Sequence, residues 1–512
     1  MDPFATTLIL VAVFLLLYRY LWKPMNYFKQ LGIPHAPWIP ILGHIGPVLF
    51  RCSFLGEHAQ KMYNRFPDAK YFGFYIFTTP VIILRDPELI TLIAIKEFDS
   101  FTDHLSMGNE DMDPLMGKTL FFLRGDSWRE MRKLLSPAFS AAKMKIMFNL
   151  ITDCADSFTK HIAEESKDGK VYHLEDTFGR YGTDMIATSC FGISVDSMKN
   201  PNNEFNVFAK QLIDFPFLKV LKVLIGRHFP SVARLLGIKV FDDQTRSYFT
   251  RVITETVNMR KEKGIYRPDM IQLMMESGDT SGKELTIDEM TNQAFSFFQA
   301  GYGTSSTVLS FVVYELAVNP EIQARLRAEI EEIARKTDGR PTYDAIKGMA
   351  YLDAVLNETA RLYPVTTVLD RVCVKEFEFP PAMFDSKPVT IKPGTMIGFM
   401  PFATQRDPKY FPDPLRFDPD RFLSGEIPQK HFFPFGLGPR ICIGNRFAMM
   451  VLKIALFYLL LRCDFEPCAQ TTIPMRFSKK SVLLAAENGF WLNFKTRENK
   501  TVLRTNDANG EF

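Results

Sequence analysis

The chain lacks the residue groupings that announce most common chemistries. Its 512 residues hold only seven cysteines, at 52, 154, 190, 373, 442, 463 and 468. An odd, scattered set with no closely spaced pair argues against a disulfide framework and against a zinc site. It fits a catalytic body facing a reducing compartment. Charge is nearly balanced, with 61 basic and 58 acidic residues and a net +3, too little to hold nucleic acid. No glycine-rich nucleotide loop follows a strand pattern, so electrons for redox chemistry must come from outside the chain. Tryptophan is sparse at 4 residues, whereas phenylalanine reaches 47, which implies a large apolar interior with room for an apolar cavity. No linker divides the sequence, although length alone would favour about three domains.

What is present centres on one stretch, Phe435-Gly436-Leu437-Gly438-Pro439-Arg440-Ile441-Cys442-Ile443-Gly444. Here one cysteine sits in a glycine-dense loop, just before a helical run from Asn445 to Leu461. A thiol at a helix N-terminus beside an arginine is expected to lose its proton easily, and a thiolate is a metal ligand. Backbone N–H groups can point at the sulfur, and the two glycines before Cys442 let the chain pass close to something flat.

The pattern Phe-x-x-Gly-x-Arg-x-Cys-x-Gly resembles the haem-binding signature of the cytochrome P-450 family, matching at all five defining positions. The resemblance implies a mainly α fold with small β-sheets (α+β). In it, haem lies between a long central helix and the cysteine-loop helix. Cys442 is then the axial iron ligand, with Phe435, Arg440 and Gly444 among the cofactor-binding residues.

Other segments match the same family in order. Phe4 to Tyr18 carries no charge, and Arg19 and Lys23 follow it. With its flanks the run approaches the roughly 20 residues that span a bilayer. The positive charge after it places the rest of the chain in the cytosol. The expected organisation is a membrane anchor at 1–22 and a proline-rich hinge at 23–45. One haem-binding catalytic domain follows at 46–505, then a polar tail at 506–512. Residues 69–84 read as a hairpin around Thr-Thr-Pro, and Asp86-Pro87 as a helix start. Phe98 to Phe122 reads as a loop. In the family the matching region roofs the substrate pocket. Trp128 and Arg132 share one helix face at i, i+4, and the resemblance makes them haem-propionate ligands, together with Arg371 and Arg440. Residues 140–285 read as mostly amphipathic helix, with an apolar lid near Phe215 to Pro230 that the family lays over the pocket and against the membrane.

Thr286-Ile287-Asp288-Glu289 is a capping box that opens a helix of about 32 residues, ending before Asn319-Pro320. In its middle, Ala300-Gly301-Tyr302-Gly303-Thr304-Ser305-Ser306 predicts a weakened ladder and a local bulge. The family places such Ala-Gly residues on the pocket wall and a threonine, here Thr304, beside bound dioxygen. One departure is Gly303, where the family commonly carries an acid; proton relay then falls to Thr304, Ser305 and water. Glu358 and Arg361 resemble the family's Glu-x-x-Arg, and Arg421 should complete a buried structural triad. Val389 to Ile397 reads as a second hairpin.

These residues imply a monooxygenase that places one atom of O2 in an apolar small molecule. Its cofactor would be haem b, and its electrons would come from NADPH through a separate flavoprotein, an NADPH-cytochrome reductase, with a cytochrome b-type donor as a second source. The resemblance places it at the endoplasmic reticulum membrane, nearest to arthropod microsomal enzymes of the detoxifying kind. Arg129, Lys133, Lys143, Lys145 and Arg446 are the expected docking residues for the reductase. Two other readings of the same haem site are an isomerase or dehydratase that needs no reductase, favoured by Gly303, and a non-enzymatic haem protein that binds a ligand.

Overall fold

The computed structural model describes residues 24–497, apart from 106–112, 168, 214–216, 229, 278–283, 426, 429 and 482–483, with a few isolated positions before residue 24. Among the described residues no helix is long and apolar enough to cross a membrane. The anchor expected at 1–22 lies largely outside the described residues, and the tail at 506–512 wholly so.

The aromatic and β-branched run near the N-terminus forms a hairpin of β1 (Tyr71–Ile76) and β2 (Thr79–Leu84), with Tyr71 opposite Leu84 and Ile76 opposite Thr79. Its turn is Phe77-Thr78, earlier than the proline predicts, because Thr79 and Pro80 already pair with β1. Two later strands, β3 (Leu369–Val372) and β4 (Met396–Phe399), complete a sheet in the order β1-β2-β4-β3. β2 and β4 run parallel, so an early and a late segment of the chain close on each other. From Ile33 the proline-rich segment is bound along β1: Gly73 N–H donates to Pro34 O at 2.8 Å and His44 N–H to Tyr75 O at 2.9 Å.

The second expected hairpin does not form. Val389–Ile391 pairs with Phe377–Phe379 in a separate sheet, while Met396–Phe399 joins β2 and β3. The connecting Lys392 to Thr395 turn is held instead by Cys373, whose N–H donates to Thr395 O and whose carbonyl accepts from Gly394 N–H. Backbone groups outside the local hairpin captured these strands. A third sheet joins Lys170–His173, Trp491–Thr496 and Cys463–Pro467. Its first strand interrupts the helical stretch expected from 140 to 285.

Helices form the bulk. The ones that position the site are α1 (Gly125–Leu135), α2 (Ala141–Glu165), α3 (Leu174–Ile186), α4 (Ile287–Val318), α5 (Ala350–Leu362) and α6 (Asn445–Arg462). α4 has 32 residues, and the capping box at Thr286 and Glu289 is present at its start. Most of its side chains are buried, so it is the axle on which α3, α5 and α6 pack. α6 is apolar nearly all round, which demands burial on every face. Its one buried ammonium, Lys453, is matched by Asp353 at 2.7 Å.

Beneath α5 the Glu358 carboxylate is fully buried and grips Arg361 at 2.7 Å, with Arg421 at 3.5 Å. Arg361 also donates to the carbonyls of Gln405, Pro414 and Arg416. The triad therefore ties α5 to the irregular segment 405–421.

Candidate functional site

Cys442 lies in a bend that the glycines before it make possible. Its own N–H donates to Phe435 O at 2.8 Å, and Ile441 N–H donates to Gly438 O at 2.9 Å. Gly438 has φ +69°, and a Cβ there would stand 1.9 Å from the Ala94 carbonyl oxygen. Only glycine fits that approach. The close partner of Gly438 is thus the backbone at Ala94. Gly444, by contrast, has only ordinary contact, with Phe139.

The sulfur is accessible, yet burial pushes the thiol above its usual range. The Gly444 N–H and the charge of Arg132 offset this in part. The easily ionised thiol expected from the sequence is therefore not what the protein alone provides. Desolvation of the anion outweighs the helix end and the cation. A bound metal would reverse the balance, because a coordinating thiol is deprotonated outright.

Three arginines surround this loop. Arg132 stands on α1 one turn after Trp128, which is buried. The Arg132 guanidinium is half-buried and makes no hydrogen bond or ion pair among the described residues; burial lowers its pKa and the Cys442 thiolate is its opposing charge. Arg371 on β3 donates to Asp370 O at 2.7 Å and Leu437 O at 3.1 Å, but its buried Nε has no partner. Burial lowers its pKa to about 10. Arg440 is lowered to about 9 by burial first and by Arg371 second. Its guanidinium stacks 4.1 Å from the Trp128 ring. Its N–H groups go to the carbonyls of Thr102 (2.9 Å), Phe121 (3.3 Å) and Leu123 (2.8 Å). Arg440 thus fastens the loop from residue 102 to 123 onto the cysteine loop.

The sequence reading missed His104, which belongs to this group. Its Nδ1 lies 3.1 Å from Asp370 Oδ1, and its ring stacks on Phe121 at 4.4 Å. Burial lowers its pKa, and Arg371 and Arg440 add to that effect. A lone histidine in a loop gave no periodicity by which to find it.

On α4 the expected bulge is absent: the helix runs unbroken from Ile287 to Val318. Thr304 Oγ1 donates to Ala300 O at 2.5 Å and Ser306 Oγ to Tyr302 O at 2.9 Å. The hydroxyls fold back on their own turn and leave the ladder intact. Gly301 has a packing role: a Cβ there would meet Ile186 Cδ1 at 2.4 Å, so α3 can approach closely. Ala300 is exposed and Thr304 half-exposed, although their neighbours Tyr302, Gly303 and Ser305 are buried.

Of the five basic residues expected to meet a partner, three are occupied. Arg129 pairs with Asp99 (2.7 Å), Lys143 with Glu276 (3.7 Å) and Lys145 with Asp344 (3.1 Å).

The donor set fits an iron porphyrin. It offers one soft sulfur ligand and a group of arginines with spare N–H donors suited to two carboxylates. Arg132, half-buried and unpaired among the described residues, and the orphaned Nε of Arg371 are what a dianionic ligand would satisfy. Comparison with known proteins agrees. A family description, Cytochrome P450, matches residues 34–493. The chain belongs to the cytochrome P450 family.

Similar curated proteins include insect members of the family. The chain is 39% identical to "Cytochrome P450 9e2" of Blattella germanica, over 95% of this chain and 97% of that one. It is 35% identical to "Probable cytochrome P450 9h1" of Drosophila melanogaster, over 95% and 98%. It is 36% identical to "Cytochrome P450 6a9" of the same fly, over 95% and 97%. Membership makes this P450 an oxidoreductase of the monooxygenase type, with a haem-thiolate cofactor.

Proposed function

We propose that this P450 is a membrane-bound, microsomal monooxygenase of apolar small molecules, xenobiotic or endogenous, fed with electrons from NADPH by a separate flavoprotein reductase. The observation that carries the reading is Cys442 with Arg132 and Arg371 nearby, two arginines that keep unused donors. In this reading the Cys442 sulfur binds haem iron, and Arg132, Arg371 and Trp128 hold its propionates. Arg440 adds its charge there, although its N–H groups already serve carbonyls. When bound, haem with a thiolate ligand supplies the cleavage of the O–O bond.

The rest is the work of the chain. Ala300 and Thr304 line the cleft on the α4 side, and the segment from residue 113 to 123, with Leu115, Met116 and Leu120 buried, closes it from above. That closure excludes water and favours apolar substrates. Thr304 holds a proton at Oγ1 for delivery toward the oxygen-binding side. To deliver it, the hydroxyl must exchange its bond to Ala300 O for one to water, since Gly303 offers no carboxylate. Lys133 and Arg446 remain exposed for a redox partner, and the apolar run at Phe4 to Tyr18 supports the membrane-bound state.

The test is spectral and catalytic. Reduced protein with carbon monoxide should show the red-shifted Soret band of a thiolate ligand. Oxidation of an apolar substrate panel should require NADPH and reductase. Turnover without reductase would overturn the electron route, and an imidazole-type spectrum would overturn the site itself. Membrane fractionation of the full chain against a variant lacking residues 1–22 tests the anchor.

A further inference from the structure

Three side chains pin the segment from Asp113 to Leu123, and they differ in what they bind it to. Arg440 takes the carbonyls of Phe121 and Leu123 and so ties the segment to the cysteine loop. Gln293 on α4 donates from Nε2 to Lys118 O at 2.9 Å and accepts from Leu120 N–H at 2.9 Å. Seven residues separate Gln293 from Ala300, two turns or about 10 Å on one helix face. The segment therefore packs at the N-terminal part of the stripe that also carries Ala300 and Thr304, and it is called the roof below.

The third pin reaches elsewhere. Asp113 is 7% exposed. Its Oδ1 accepts from Met116 N–H at 3.2 Å, capping the short turn Pro114–Gly117. Its Oδ2 accepts from Val240 N–H at 3.1 Å and Phe241 N–H at 3.0 Å. Val240 and Phe241 follow the helices Phe217–His228 and Pro230–Leu235, which present Leu218 and Leu235 to solvent, as does Leu236 just after them. The Phe241 ring packs on Phe295 of α4, 5.2 Å away. One carboxylate thus joins the roof to the chain that returns from the outer helices, across 127 residues of sequence. Among the described residues no cation is bonded to it; burial raises its pKa, and the three amides with the charge of Lys239 offset this in part. Beside this seam the aromatic contact of Phe241 with Phe295 is apolar, and apolar contact has no direction and can slide.

We propose that Asp113 is a latch: its bonds to the Val240 and Phe241 amides set how fast apolar molecules enter and leave the cleft between the roof and the outer helices. The proposal rests on the haem-thiolate reading of the cleft for its ligand, an apolar small molecule, but not for its hydrogen bonds. Asp113 is a positioning residue and touches no reacting atom. Breaking two charge-assisted bonds should ease opening by about tenfold or more.

Asp113→Ser separates the two tasks of the carboxylate. A serine can still cap Met116 but is too short to reach Val240. In the full-length haem-loaded protein, stopped-flow spectra should follow two probes, imidazole and the bulky arylimidazole clotrimazole. Asp113→Ser should speed both association and dissociation of clotrimazole about tenfold or more. It should leave the imidazole rates and the reduced carbon monoxide spectrum as in the parent. Equal clotrimazole rates in a variant with an intact spectrum would overturn the latch. Hydrogen exchange of the parent protein gives a reading that needs no variant. The amides of Val240 and Phe241 should exchange faster than those in the middle of α4 and slow when clotrimazole binds. Exchange as slow as α4 would show that the seam does not open, and would overturn the proposal whatever the variant does. Loss of the thiolate spectrum in the parent would instead count against the haem reading, and the exchange result would still decide the latch.

Discussion

Two groups of arginines lie close to the chemistry of this protein, and they are bonded in opposite ways. Around Glu358, Arg361 is wholly buried and its guanidinium is saturated by the carboxylate and three carbonyls. Around Cys442, Arg132 has no hydrogen-bond or ion-pair partner among the described residues, and Arg371 keeps a buried Nε without one. A buried cation is tolerated only when matched. Saturation of Arg361 marks a lock, whereas the unmet donors of Arg132 and Arg371 stand beside Cys442, where an anionic ligand would meet them. Arg421 of the lock also has an Nε without a hydrogen bond, so position and not the orphan alone carries the contrast. Arg440 belongs to the first kind by its bonds and to the second by its position, because it spends its donors on carbonyls while standing two residues from Cys442.

The sharpest way to break this contrast is at its centre. Cys442→Ala should abolish the red-shifted carbon monoxide band and all monooxygenase turnover while the helical far-UV signal persists. Retention of the band would remove the basis of the comparison. Next in size is Glu358→Gln, which leaves Arg361 buried without its counter-charge and should cost about 3–5 kcal/mol, read by denaturant unfolding of the holoprotein. On the other side, Arg132→Gln should leave folding nearly unchanged. It should speed haem transfer to apomyoglobin about tenfold, the low end of a charged hydrogen bond's worth. If Arg132→Gln unfolded the protein and Glu358→Gln merely loosened haem, the two groups would have been assigned the wrong way round. A smaller effect is expected at Thr304→Ala: substrate-driven NADPH consumption should continue, with a larger share of its electrons appearing as peroxide. Unchanged coupling would discard the proton-holding role.

The smallest expected effect comes from a buried carboxyl outside both groups. Glu315 on α4 accepts from Tyr363 and Asn319, yet burial raises its pKa to about 7. An acid whose folded pKa exceeds its unfolded value of 4.5 favours the fold when protonated. That contribution is complete below about 4.5 and is lost as pH rises toward about 7. Glu315→Gln should flatten this slope and be the more stable form, relative to the parent, above neutral pH. Thermal midpoints of both proteins across that range would show it, and parallel curves would refute it.

Much of this was legible in the sequence. The loop from Phe435 to Gly444 is read from ten adjacent residues, and the capping box at Thr286 fixes the start of α4, because both are local patterns. The failures share a cause. The hairpin at Val389 to Ile397 was expected from neighbouring residues, but its strands pair with residues remote in the chain. The bulge at Thr304 was expected from helix propensity, but back-bonded hydroxyls and the approach of Ile186 to Gly301 keep the helix whole. The ionised thiol was expected from its flanks, but burial dominates them.

The order of residues by itself determined the long helix, the family and hence the reaction class, and it singled out Cys442 as the proposed ligand. Each depends on side chains within a few positions of one another. Tertiary structure alone decided which donors remain unspent, which glycines serve packing, and that His104 and Asp113 matter at all. Desolvation, hydrogen-bond saturation and close approach depend on distances between residues that the sequence separates by a hundred positions or more.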